Sequence, residues 1–150
     1  MRILKYSSIY REKCIEIFKS NLPTFFAPDE LEIFENFLDH DTEYHYFVLI
    51  HDGELICCGG IFSNDRTNEA GLSWGMVHAQ KHNKGIGKFF TDYRINLLRN
   101  LYPNMTYKIE TSQHTFLFYQ KRGFVTVDIT LDGFGEGIDK YIMELKEAAI

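Results

Sequence analysis

The sequence predicts a mixed α/β fold, a sheet with helices on both faces. Two early segments and one later one repeat apolar residues at helical spacing, and β-rich runs fill the middle. From there on, strand and helix alternate. "SSIYREKCIEIFKSNLP" (7–23) reads as the first helix: Ser7 or Ser8 caps it, Ile9, Cys14, Ile17 and Phe18 share a face, and Pro23 follows its end. "APDELEIFENFLDH" (27–40) reads as the second, with Pro28 near its first turn, acids after it and an apolar stripe of Leu31, Phe34 and Leu38. "YHYFVLIHDGELICCGGIFS" (44–63) is two apolar runs joined by Asp52-Gly53, a strong hairpin signal. "NEAGLSWGMVHA" (68–79) reads as a central strand. The next helix carries Ile86, Phe89, Phe90, Tyr93 and Leu97 on one face and Lys88, Asp92, Arg94 and Asn96 on the other, and ends before Pro103. "MTYKIETS" (105–112) is a strand, "HTFLFYQKR" (114–122) a short helix stopped by Gly123, and "GFVTVDITL" and "IDKYIMELK" the closing strands.

A chain of 150 residues is expected to form one domain, spanning 1–150, with a core of its own. The net charge of −5 argues against a nucleic-acid partner, which would call for a basic face. Cys57 and Cys58 are neighbours on a predicted strand and point to opposite faces, so they make a poor disulfide. Buried thiols in a reducing, cytoplasmic setting are expected instead. The first residues lack the long apolar run of a signal peptide, and no stretch approaches the length of a membrane span. The histidines and cysteines form no H-E-x-x-H or C-x-x-C, so no metal is expected.

The stretch "HNKGIGKFF" (82–90) places Gly85 and Gly87 where a helix is about to start. Glycine in a helix costs roughly 1 kcal/mol against alanine, so two of them invite a reason. Unpaired N–H groups at a helix start bind anions, and glycines let a phosphate approach them. A Walker A loop is excluded, because Phe89 stands where Ser or Thr is needed and His82 where its first glycine belongs. The dinucleotide fingerprint fails at its third glycine, where Phe90 stands. What remains is a strand, a polar bend and G-x-G at a helix start, which suits a pyrophosphate or serves as a plain turn.

"VHAQKHNKGIGKFF" resembles motif A of the GCN5-related N-acetyltransferases (GNAT superfamily), [QR]-x-x-G-x-[GA] after the fourth strand. Gly85 and Gly87 match, with His82 where Gln or Arg is usual. "TFLFYQKRGF" is similar to motif B of that family: Tyr119, Gly123 and Phe124 match, while Thr115 replaces an alanine. "TLDGFGEGIDKYIMEL" is similar to the C-terminal strand of small bacterial members. The resemblance implies a mostly antiparallel sheet of about six to seven strands, splayed between the fourth and fifth. It also implies acetyl transfer from acetyl-CoA to an amine by direct attack. Carried over, backbone groups of Met76, Val77 and His78 would meet the pantetheine arm. The loop of His82, Asn83, Lys84, Gly85, Ile86, Gly87 and Lys88 would hold the pyrophosphate. Tyr119 would be the general acid toward the coenzyme sulfur, since a phenol stays neutral at pH 7 and can still protonate a thiolate. The base stays open: the family's glutamate position is Gly71 here, Glu69 lies just upstream and Glu110 on the fifth strand, His78 and His114 titrate usefully, and water is the remaining route.

The partners this implies are a small-molecule amine acceptor and room for a homodimer, with no nucleic acid and no membrane. "NLPTFFAPDELEIF" and "DGFGEGID" would line the acceptor side, where Asp29, Glu30, Glu32, Glu35, Asp132, Glu136 and Asp139 would attract a cation. Two rivals stand beside this. A coenzyme-A-binding sensor of the same fold would bind thioester without consuming it. A serine hydrolase would use Ser73 in "GLSWG", but that elbow needs a helix directly after the serine, and Met76 and Val77 continue an apolar run instead.

Overall fold

The computed structural model describes residues 1–43 and 45–146; Tyr44, at the head of the hairpin run, lies outside the described residues. A short strand opens the chain, β1 (Arg2–Lys5), followed by a 3-10 turn (Ser8–Tyr10) and helix α1 (Arg11–Ser20). Ser7 therefore precedes the turn and Ser8 opens it, so neither caps α1, and Ile9, expected on the apolar face, is exposed. Helix α2 (Glu30–His40) buries Phe34 and Leu38 as its stripe predicts. Strands β2 (Tyr46–His51) and β3 (Glu54–Asn64) form the hairpin. Asp52 (φ +52°) and Gly53 (φ +78°) supply the two left-handed residues of a tight turn. Strand β4 (Glu69–Val77), helix α3 (Ile86–Leu101), strand β5 (Thr106–Thr111), helix α4 (Phe116–Gln120) and strands β6 (Phe124–Gly135) and β7 (Ile138–Leu145) complete the order.

The described strands form one sheet of seven in the order β1-β2-β3-β4-β5-β7-β6. Only β4 and β5 among them pair in parallel, because α3 carries the chain across between them. Helices α1 and α2 cover one face, where Cys14, Phe18, Phe34 and Leu38 pack with Val48, Cys58 and Met76. Helices α3 and α4 cover the other, where Ile86 and Phe90 pack with Cys57, and Ile95, Leu98 and Tyr119 with Leu72, Ile109 and Met143. Cys57 and Cys58 thus point to opposite faces, and all three cysteines are free and buried. No helix of the described residues is long and apolar enough to cross a membrane.

Helix α3 sits rotated from the orientation its apolar pattern predicts. Its buried row is Ile86, Phe90, Thr91, Arg94, Ile95 and Leu98, while Phe89 and Tyr93 are largely exposed. Two large aromatic residues pull the apparent stripe outward, and a charged residue occupies the centre of the true one.

Candidate functional site

The cleft begins where two strands part. Strands β4 and β5 pair at Glu69↔Thr106, Ala70↔Tyr107 and Gly71↔Lys108, and no rung follows. On its other edge β4 carries a bulge. Cys58 pairs with Met76 but Gly60 with Ser73, so Trp74 and Gly75 together face Gly59. Trp74 takes the unusual φ of +44° there. Past the bulge the His78 N–H donates to the Ile56 carbonyl at 2.8 Å. Alternation in an antiparallel ladder then turns the backbone groups of Met76 and His78 toward β3 and those of Val77 toward the cleft. The Val77 carbonyl accepts from Asn21 Nδ2 at 3.0 Å and lies 2.9 Å from His82 Nε2. Of the three residues expected to meet the pantetheine arm, Val77 is the one whose backbone groups face the cleft.

The loop after β4 is tied down as far as His82 and opens beyond it. The Ala79 N–H donates to Ser20 Oγ at 3.0 Å, and the Lys81 N–H to the His78 carbonyl at 2.8 Å. Asn83 (φ +63°) and Gly85 (φ +79°) then turn left-handed, and the first bond of α3 runs from the Phe89 N–H to the Gly85 carbonyl at 3.1 Å. Among the described residues, the N–H groups from Asn83 to Lys88 meet no acceptor. Such a nest at a helix start concentrates partial positive charge and suits an anion. Asn83, Lys84 and Gly85 are exposed, and a Cβ built on Gly85 would meet no atom within 4 Å. Lys84 and Lys88 stand at the rim, Lys88 held by Asp92 at 2.9 Å. A shallow groove lined by Gly85, Lys88, Phe89, Asp92, Tyr93 and Asn96 continues from the nest along the outer face of α3.

Tyr119 packs in the cluster that includes Leu72 and Ile109, the residues one step past the last β4–β5 rung. Burial pushes its phenol above the ordinary tyrosine range, and the guanidinium of Arg94 pulls against that shift. Glu69 is elsewhere. It pairs with Thr106 at the closed end of the cleft, about 17–20 Å along the strand from the bulge at roughly 3.3 Å per residue. Its carboxylate is salt-bridged to Lys108, which holds it below the usual carboxylate range and makes it a weaker base. Glu69, expected as a base, thus lies at the closed end of the cleft with its carboxylate paired to Lys108. Ser73 lies inside β4, which runs on to Val77 with α3 starting only at Ile86, so the strand–helix elbow of a hydrolase is absent there.

The opposite wall is aromatic rather than acidic. Phe25 sets its ring edge-on between His82 (5.2 Å) and His114 (6.2 Å), and Phe26 stacks on Trp74 at 6.4 Å. The acids expected to draw in a cation serve other ends. Glu30 accepts from the Ala27 N–H at 2.8 Å, Asp132 from the Gly137 N–H at 2.8 Å, and Asp139 from the Asp132 N–H at 2.9 Å. Glu35 pairs with Arg11, and Asp29, Glu32 and Glu136 are solvated. Three parts of the site escape the sequence pattern: the bulge at Trp74, the Asn21 contact to Val77, and the buried Arg94.

The family model for the acetyltransferase (GNAT) domain matches residues 11–147. No curated relative matches the sequence significantly. Among solved structures, Ard1 from Thermoplasma volcanium is similar at 20% identity with a TM-score of 0.76, over 97% of this chain and 98% of that one. The ribosomal-protein-S18-alanine N-acetyltransferase from Escherichia coli is similar at 16% identity and a TM-score of 0.76, over 99% and 96%. The N-acetylglutamate synthase from Neisseria gonorrhoeae, solved with coenzyme A and N-acetyl-glutamate, matches at 16% identity and a TM-score of 0.67, over 97% of this chain and 35% of that one. At these identities the likeness is one of fold.

Proposed function

The chain belongs to the GNAT acetyltransferase family, and from that premise we propose that it transfers an acetyl group from acetyl-CoA to a small primary amine by direct attack in a ternary complex. One observation carries the reading: β4 and β5 part after Gly71 and Lys108, and the loop beside that opening offers a run of N–H groups with no acceptor among the described residues. Gly85, with open space over it, lets a diphosphate reach the N–H groups of Asn83 to Lys88, and Lys84 and Lys88 add charge. The Val77 N–H offers the amide-bearing arm a strand-like partner. It also stands next to the bulge, where a backbone donor can stabilise the oxyanion. That the Neisseria gonorrhoeae neighbour of the same fold was solved with coenzyme A supports coenzyme binding as part of this reading.

The Tyr119 hydroxyl donates its proton to the departing sulfur. Its burial keeps it protonated through neutral pH, as an acid in that role requires. The amine enters from the side of Phe25, Phe26 and Trp74 and sheds its proton through water, with no carboxylate assigned as base. A panel of neutral, anionic and cationic primary amines, read by thiol release, tests the reading. Amine-dependent thiol release with formation of the N-acetyl product supports it. Tight CoA binding without thiol release across the panel would instead identify a sensor.

A further inference from the structure

Arg94 is a charged side chain on the buried face of its helix. It lies on the inner face of α3 and is only 2% exposed. Two strands make room for it. A Cβ on Gly59 would stand 3.0 Å from its Cζ, and one on Gly75 would stand 2.6 Å from Nη2. The guanidinium thus lies flat against the backbone of β3 and β4, directly beneath the bulge. It donates to the Gly60 carbonyl at 3.3 Å and to Thr91 Oγ1 at 3.5 Å, and sits over the Phe90 ring at 4.9 Å. Its Nε is buried with no partner in the structure. Among the described residues no carboxylate lies within ion-pair range of it. A buried cation without a counter-charge costs stability that a methionine of similar volume would not.

What faces the cation is a set of neutral acids. Its positive charge is felt by Tyr46 on β2, Cys57 on β3 and Tyr119 on α4, each pushed up by burial and pulled down by Arg94. The Tyr46 hydroxyl is committed to the Trp74 carbonyl at 2.8 Å, and burial pushes the Cys57 thiol up to about 12. The cluster that holds Tyr119 also contains Tyr107 from β5 and Phe124 from β6, with Tyr141 from β7 packed against it. Tyr107 is committed to the Tyr102 carbonyl at 2.7 Å. Tyr119 is left as the acid that packs at the parting of β4 and β5 and feels the charge of the guanidinium.

We propose that Arg94 is a positioning residue for acetyl transfer, whose buried charge beneath the β4 bulge orients the Tyr119 hydroxyl and stabilises the phenolate that forms when it gives up its proton. This rests on the reading of Tyr119 as the general acid. The amine nitrogen bonds to the acetyl carbon, the carbon–sulfur bond breaks, and its electron pair leaves on sulfur. The sulfur takes the Tyr119 proton, the phenolate is held by Arg94, and the proton shed by the new amide nitrogen returns to the phenolate through water. The balance is amine plus thioester to amide plus thiol.

The test uses Arg94→Met, Arg94→Gln and Arg94→Lys beside Tyr119→Phe. Three quantities are read: CoA affinity, kcat against pH, and the titration of Tyr119 followed by ¹³Cζ NMR with the resonance assigned through Tyr119→Phe. The expected result is CoA affinity within threefold of wild type, kcat lower by tenfold or more in Arg94→Met, and Tyr119 titrating at higher pH. Arg94→Lys should recover part of the rate, and Arg94→Met should melt no lower than wild type. Arg94→Gln keeps hydrogen bonds without the charge and stands in if the methionine variant does not fold. An unmoved Tyr119 titration, or kcat within twofold of wild type in either uncharged variant, overturns the inference. A fully active Tyr119→Phe would instead remove the acid reading, and the NMR titration would still decide whether Arg94 is coupled to that phenol.

Discussion

Gly85 offers a test in which backbone strain and ligand obstruction separate. Its φ is +79°, and a Cβ there would meet nothing within 4 Å. Gly53 (φ +78°) and Gly137 (φ +79°) share both properties but lie in the β2–β3 and β6–β7 turns. Alanine at any of the three pays the same left-handed cost, roughly 1–2 kcal/mol. At this chain length that lowers Tm by about 2–4 °C per kcal/mol. Only at Gly85 does the new side chain also enter the nest. Losing one hydrogen bond to a charged phosphate costs about 1.5–3 kcal/mol, which is roughly a 10- to 150-fold rise in Kd. We therefore expect Gly53→Ala and Gly137→Ala to lose stability and keep CoA affinity, and Gly85→Ala to lose both. Gly85→Asn, which tolerates the left-handed region, should recover stability without affinity. Gly85→Glu adds a negative charge and should abolish measurable binding. Urea unfolding and calorimetric titration with CoA supply the two readouts. A folded Gly85→Glu that binds CoA within twofold of wild type would refute the cradle, and equal CoA losses at Gly53 and Gly85 would trace the effect to strain.

Tyr119→Phe should cut kcat by about 10²–10⁴ while leaving CoA affinity within threefold, as removal of a general acid does; steady-state kinetics beside calorimetry decides. Glu69→Gln should leave kcat within twofold, since the carboxylate sits at the closed end of the cleft, and should lower Tm only slightly because its partly exposed pair with Lys108 is worth about 0–1 kcal/mol. Ser73→Ala should retain full activity, and a fluorophosphonate should not label the wild-type chain; stoichiometric labelling of Ser73 would reverse that. Burial raises the Glu30 carboxyl above its ordinary value. Its contribution to stability is therefore present below the unfolded value, about 4.3, and lost as pH rises through the folded one. Glu30→Gln, which can still accept from the Ala27 N–H, should raise Tm at pH 7 and lose that gain by pH 4.

Much of the fold is legible because strong local signals agree with each other. Asp52-Gly53 reads as a turn and is one, and the Phe34–Leu38 stripe finds the core. The glycine loop is legible for the same reason, since Gly85 marks a backbone conformation that other residues resist. Strand β1 is not, because four residues at a sheet edge carry too short an alternation to register. Arg94 is missed because a charge on a helix reads as solvated. Its burial depends on Gly59 and Gly75, two residues on strands 35 and 19 positions upstream. Glu69 is ambiguous in the other direction, since the sequence places a carboxylate on this strand without saying which end of the cleft the strand keeps closed.

The bulge explains why residues so distant in sequence depend on one another. A non-glycine residue at positive φ costs of order 1–3 kcal/mol, so Trp74 needs support from its surroundings. On the α1–α2 face its ring packs with Phe34 at 5.1 Å and Phe37 at 6.0 Å, and its carbonyl takes the Tyr46 hydroxyl. On the α3 face the next residue, Gly75, gives way to the Arg94 guanidinium. The strand is thus fixed from both sides at the point where β5 has already turned away. Backbone donors held in this way need not reorganise as charge develops on an oxyanion, which is where preorganisation contributes most to rate. The aromatic cluster on the α1–α2 face and the Arg94 guanidinium on the α3 face are then two halves of one clamp on β4. A substitution in either half should reach the other through the backbone between Ser73 and Met76.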